Sequence, residues 1–379
     1  MISRKKFQEN LMSEFSWNCF KQNMSPTIST RRCCCWACAQ HGVYGLVFLG
    51  TFIVLLQPCS SVTTSAVWVP TFAATRGDLE SVALLQNGGA WAVGSLGTVL
   101  RSSAHGDGAS AAWEEVQGLL SDQPRRYLRA VRFLNSTHGW MVGSQDLILG
   151  TSDGGVTWRS ELNPGMAAAD LRGLAVHSTL GTECLAVAVG TRGAVWVNLN
   201  FGGWRQLGAA TSGALNAVHV QDEMMSWAVG AGGWIMAASS YAARGWSQRG
   251  AGLTTVDLQG VWFSSRDAGW VVGDAGSVYQ TVDAGVTWRA MSACASPGRC
   301  ARLNDVKMSL SMGVGWIVDD GGVIYSTRDQ GQTWFTEARA VSAPLTSIAL
   351  LDDSFPLVVG HASAVVRYVG APPPPPPPP

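Results

Sequence analysis

The chain is short of charge. Asp, Glu, Lys and Arg make up only 14% of its 379 residues, and the two signs cancel at 26 each. That balance excludes nucleic acid as a partner, because displacing the counterions of a phosphate backbone needs a strong basic excess. Long apolar runs are missing too. The apolar run Gly42 to Leu56 has 15 residues, short of the roughly 20 that a membrane-spanning helix needs. Cysteine is sparse past residue 59, where only Cys184, Cys294 and Cys300 of the nine remain. Cys33, Cys34, Cys35 and Cys38 stand too close together for zinc-ligand spacing and have no His pair beside them. No metal and no cofactor are expected.

What the sequence does hold is glycine and tryptophan, 44 and 17 residues, arranged in a repeat. The run from Gly269 to Trp288 returns almost unchanged at Gly139 to Trp158 and at Gly315 to Trp334. Aligned on a W-x-V-G element, the anchors are Trp91, Trp140, Val187, Trp227, Trp270, Trp316 and Leu357. Their spacings of 49, 47, 40, 43, 46 and 41 match the period of four-stranded propeller blades. The seventh unit stops near Gly370 without its Trp-bearing strand, and that strand is found at the other end of the chain as Ala66 to Phe72. The expected fold is therefore all-β: a seven-bladed β-propeller over 66–371 whose last blade is closed by the N-terminal strand. Closure removes the open edge a row of sheets would expose.

Residues 1–65 lie outside the repeat. Arg31 and Arg32, the apolar run 42–56 and the small polar residues after Gln57 form a basic flank, an apolar core and a polar exit, the layout of a targeting or signal segment. Cleavage is one reading. A retained anchor, with membrane association through 42–56 and the cysteine cluster open to palmitoylation, is the other. Residues 372–379 are eight prolines, a polyproline II tail. Cys294 and Cys300 flank a Pro-Gly turn and are either a loop disulfide or two surface thiols.

Glycines in the turn after the second strand of the first, third, fourth and fifth units (Gly94/Gly97, Gly190/Gly193, Gly230/Gly233, Gly273/Gly276) are expected to supply positive φ. Recurring around the ring with no helix behind them, they are no phosphate loop. The next turn reads [ST]-x-D-x-G-x-T-W in three units, with Asp153, Gly155 and Trp158, then Asp283, Gly285 and Trp288, then Asp329, Gly331 and Trp334. The Asp is expected to accept N–H groups two and three residues on, the Gly to turn left-handed, and the Trp to pack between blades. These carboxylates are read as structural, and Asn200 to Trp204 and Ala242 to Trp246 as decayed copies. The pattern is the Asp-box, or neuraminidase-type, repeat.

The whole unit, on a seven-blade period behind a targeting segment, resembles the photosystem II stability/assembly factor family of plastids and cyanobacteria. The resemblance covers about residues 66–370. It implies a non-enzymatic propeller of the thylakoid lumen that binds the precursor of a reaction-centre protein, and an Arg-rich patch as its contact. A secreted Asp-box glycosidase or ligand-binding propeller is the alternative. Against a sialidase stand the missing Arg-Ile-Pro and the scarcity of Tyr and Glu to serve as paired catalytic groups.

Connectivity places the binding surface. The Asp-box turns and the first turns of the blades share one face; the G-x-x-G turns and inter-blade loops share the other. The latter is expected to carry Arg125, Arg126, Arg192, Arg299, Arg302, Asp274, Asp319, Asp320 and His361. A polar ring of Glu80, Arg129, Arg172, Asn216, Gln259, Asn304 and Thr346 is expected near the channel. Arg125, Arg126, Arg129, Arg172 and Arg192 are the candidate partner-binding residues, the first four read as an unpaired cluster.

Overall fold

The computed structural model describes residues 48–49, 52–53, 67–73, 75, 77–102, 113–120, 126–161, 169–178, 184–239, 245–293, 300–309, 313–351 and 355–369. The chain divides into two units, 1–63 and 64–379. Within the first, Phe48–Leu49 pairs antiparallel with Phe52–Ile53. No helix among the described residues is long and apolar enough to cross a membrane.

The second unit is the expected propeller. Seven four-stranded antiparallel sheets follow one another, each running from an innermost to an outermost strand. Their innermost strands are Leu79–Leu84 in blade 1, Leu128–Phe133 in blade 2, Leu171–Ser178 in blade 3 and Leu215–Asp222 in blade 4. Blades 5, 6 and 7 begin with Leu258–Phe263, Leu303–Met308 and Leu345–Leu351. The second strands, such as Gly269–Gly273 and Cys184–Gly190, are buried along their whole length, as apolar runs sandwiched between sheets should be. Blade 7 takes its outermost strand from the N-terminal side. Val67–Phe72 pairs with Ala364–Val369 over six residues. Pro70 sits in this edge strand, where a missing N–H leaves no ladder bond unmade.

The core is seven clusters, one between each pair of neighbouring blades. The three Asp-box turns seal three of these seams. Each Trp packs against the blade before it, as expected; Trp158 meets Trp91 edge-on at 5.5 Å and Trp288 meets Trp227 at 6.4 Å. A Cβ on Gly155 would lie 2.2 Å from Trp91, and one on Gly285 2.6 Å from Trp227. The two glycines also have φ of 90° and 73°, so both space and backbone demand them.

The hydrogen bonding inside the turn differs from the sequence reading. Asp283 Oδ1 accepts the N–H of Thr287, four residues on, at 2.8 Å, and Oδ2 accepts its hydroxyl at 2.6 Å. The first Thr is a second hub. The Thr281 hydroxyl donates to Asp283 at 2.9 Å and accepts from Gly285 N–H at 2.9 Å. The same set recurs at Asp153 and Asp329. Bonds from the Thr157 hydroxyl and N–H, then from Thr151, hold the Asp153 carboxyl down at about 2. Thr327 is fully buried, so Thr327→Val is expected to cost about 1–3 kcal/mol by stranding the Gly331 N–H, measured as a shift in the denaturant midpoint without change in slope.

Candidate functional site

All seven innermost strands share one irregularity. The ladder slips between their first and third residues, at Leu79/Ser81, Leu128/Ala130, Leu171/Gly173, Leu215/Ala217, Leu258/Gly260, Leu303/Asp305 and Leu345/Ser347. The residue left out of the pairing is in each case the expected ring member, from Glu80 round to Thr346. A bulge frees its residue from the ladder and re-aims the side chain. The polar ring is thus seven bulges.

Most ring members reach toward a neighbouring blade. Arg129 Nη1 donates to Glu80 Oε1 at 3.2 Å, Arg172 Nη1 to Asn216 Oδ1 at 2.7 Å, and Asn216 to the Leu258 carbonyl at 2.9 Å. Asn304 bonds the Leu345 carbonyl at 2.7 Å, and Thr346 closes the circle on the Leu79 carbonyl at 2.8 Å. Gln259 instead reaches Asp274 in its own blade at 3.1 Å.

The turn after each second strand leans on the same region. The N–H of its second residue bonds the carbonyl of the residue just before the innermost strand of its own blade, at 2.9–3.0 Å in all seven blades. This close approach explains the first glycine of the turn. A Cβ on Gly94, Gly190, Gly230 or Gly273 would stand 1.8–2.3 Å from that carbonyl oxygen. The φ of Gly94 is −171°, so the first glycine supplies room, not positive φ. Positive φ belongs to the last two residues of the turn, such as Arg192 at 58° and Gly193 at 66°. In blade 6 Asp319 takes the first position. It is buried rather than facing out, accepting Gly321 N–H, Val323 N–H and the Tyr325 hydroxyl at 2.9, 2.7 and 3.0 Å.

Three carboxylates that the sequence reading passed over also bind the blades together. Asp78, Asp170 and Asp257 precede their innermost strands and accept the N–H of Ala362, Gln145 and Gly232 in the preceding blade, at 2.9, 3.1 and 2.8 Å. The signal was there, as Asp-Leu at three blade starts.

The arginines therefore sit among acids. Arg129 is paired with Glu80 and lies over the Tyr127 ring at 5.2 Å, so the cluster is not unpaired. Arg302 lies 3.7 Å from Asp320 and 4.0 Å from Asp274. Arg172 is less balanced: burial first, and then the charges of Arg129 and Arg302, pull its guanidinium below the usual range, against Asp170 and Asp257. Arg192 is exposed on the blade 3 turn, and Arg126 Nη1 has no hydrogen-bond partner among the described residues. Arg125 and Arg299 lie outside the described residues, as does Cys294; Cys300 is disulfide-bonded. Among the described residues no group of His, Cys, Asp and Glu is placed to hold a metal.

The fold and its bulged collar define a seven-bladed Asp-box propeller with a charged mouth on the face away from the Asp-boxes. The family model of photosynthesis system II assembly factor YCF48 matches residues 106–177 and 238–353. The chain belongs to this family of photosystem II assembly factors with a BNR-type propeller. Among solved structures it resembles YCF48 bound to a D1 peptide, at 20% identity and TM-score 0.64 over 80% of this chain and 96% of that one. It also resembles YCF48 from Cyanidioschyzon merolae, at 17% identity and TM-score 0.63 over 79% and 98%. The WD40 propeller domain of Doa1 aligns too, at 12% identity and TM-score 0.62 over 80% and 97%. A search of curated protein sequences returns no match.

Proposed function

We propose that this protein is a non-enzymatic assembly factor that captures a polypeptide of a photosystem II reaction-centre precursor at the channel mouth, in the lumen of a plastid thylakoid. The observation that carries the reading is the bulged collar, which presents Arg129 and Arg172 beside Arg302 on one face. Arginine offers a carboxylate two parallel hydrogen bonds, which suits an acidic or carboxylate-terminated segment. The family match and the likeness to a YCF48 structure holding a D1 peptide support the partner class. The Asp-box carboxylates are occupied by turn hydrogen bonds on the opposite face, which leaves them no role as catalytic acids.

The test is charge reversal. Arg126→Glu with Arg172→Glu is expected to leave melting nearly unchanged and to weaken capture of a D1 peptide, most strongly at low salt. Undiminished capture removes the arginines from the reading, and hydrolysis of sialosides or glucans by the wild-type chain overturns it.

A further inference from the structure

Blade 3 breaks the pattern by which an Asp-box turn covers the second-strand Trp of the blade before it. Its turn, Asn198 to Trp204, is one residue shorter than Thr281 to Trp288 and has no Asp in the box position. Asn198 stands where the Asp-box Thr would be, opposite Ala186 as Thr281 is opposite Gly269. With the box gone, Trp140 is covered by the buried Trp204, which meets it edge-on at 6.1 Å, and by Phe201, which stacks on Trp140 at 5.9 Å and touches His138 at 4.7 Å while staying 48% exposed. Beside it a cavity of about 500 Å³ opens, lined by Trp140, Glu161, Asn198, Phe201, Trp204 and Arg205, within the range of small-molecule sites.

Two features of the lining point to a ligand. Asn198 is 2% exposed, yet its Oδ1 has no hydrogen-bond partner; a buried amide acceptor left open is costly and rare. Glu161 is held in place from two sides. Trp140 Nε1 donates to its Oε2 at 3.0 Å, and Gly150 leaves the room its other oxygen occupies, since a Cβ there would come within 2.1 Å of Oε1. The site thus offers acceptors from Asn198 and Glu161, donors from Arg205 and an aromatic face from Phe201.

We propose that this cavity is a binding site for a neutral, polyhydroxylated ring: a saccharide unit lying against Phe201 with its hydroxyls on Asn198, Glu161 and Arg205. Hydroxyls donate and accept, so they serve both kinds of group, and the opposite charges of Glu161 and Arg205 favour a neutral occupant. A basic side chain would satisfy the acceptors but meet Arg205 with like charge. The site lies on the Asp-box face and is independent of the channel mouth.

The experiment is saturation-transfer NMR of the wild-type propeller with glucose, galactose and N-acetylglucosamine, beside the amides of arginine and lysine. At least one sugar is expected to bind saturably. Asn198→Ala and Glu161→Gln are each expected to weaken it about tenfold, the scale of one hydrogen bond lost from a closed site, with melting within a few degrees of wild type. Grafting the Thr281 to Trp288 sequence in place of Asn198 to Trp204 is expected to abolish binding while the chain stays folded. Silence from all three sugars, binding of the amides instead, or sugar binding that survives the graft would each overturn the assignment.

Discussion

A chain that begins at Gly77 is expected to lose much of its stability and to associate, while one that begins at Ser65 melts as a monomer. The difference is one strand. Val67–Phe72 supplies the whole outer edge of blade 7, and without it Ala364–Val369 presents an unpaired ladder ready to accept another chain. The strand also carries Trp68, 8% exposed, which meets Tyr368 edge-on at 5.2 Å and packs with Trp316 and Val318 of blade 6. Trp68→Ala alone is therefore expected to cost about 3–5 kcal/mol, the range for deleting a buried aromatic. Equal melting temperatures and equal sizes in solution for the two chains would show that the ring does not depend on the strand.

Asp305→Ala is expected to cost a similar amount, about 3–5 kcal/mol, because it leaves a buried cation without its counter-charge. Lys307 is the single lysine beyond residue 21. Its Nζ lies 2.9 Å from Asp305 and 5.0 Å over the Trp262 ring, with a side chain only 12% exposed. Asp305 Oδ2 meanwhile accepts the Ile348 N–H of blade 7 at 2.9 Å. Burial already pulls the Lys307 ammonium below its usual range, with Arg132 adding repulsion against the attraction of Asp305. Removing Asp305 deepens that depression. A lysine whose folded pKa is depressed binds fewer protons folded than unfolded, so the variant should gain stability as pH rises from 7 toward 10, and the wild type less so. Adding Lys307→Met should recover part of the loss. A variant that melts like the wild type at every pH would mean the pair is solvated in place.

The architecture was legible because a period of about 44 residues repeats the same strand order, and because the missing strand of one end stands at the other. The Asp-box residues were legible for the same reason, down to the Trp that enters the neighbouring seam. The ring positions were found by counting, but not the bulges that make them a ring, since the second residue of Leu128-Arg129-Ala130 looks like any other strand residue. Pairing across blades was hidden as well. Arg129 and Glu80 are 49 residues apart, and only the packing of one blade on the next brings the two together. The first turn glycine was misread because a residue that needs room and one that needs positive φ look alike in a sequence. Asp319 showed this from the other side: at the same place a carboxylate turns inward and ties down its own hairpin.

The seven bulges have a consequence for how such a surface changes over time. A side chain released from the ladder can be exchanged without disturbing the hydrogen bonds of the strands on either side of it. Glu80, Arg129, Arg172, Asn216, Gln259, Asn304 and Thr346 differ widely in charge and size, yet occupy one kind of backbone site. The collar works like a set of interchangeable tumblers in a lock. Selection can recut one at a time to suit a new key while the barrel that holds them stays as it is.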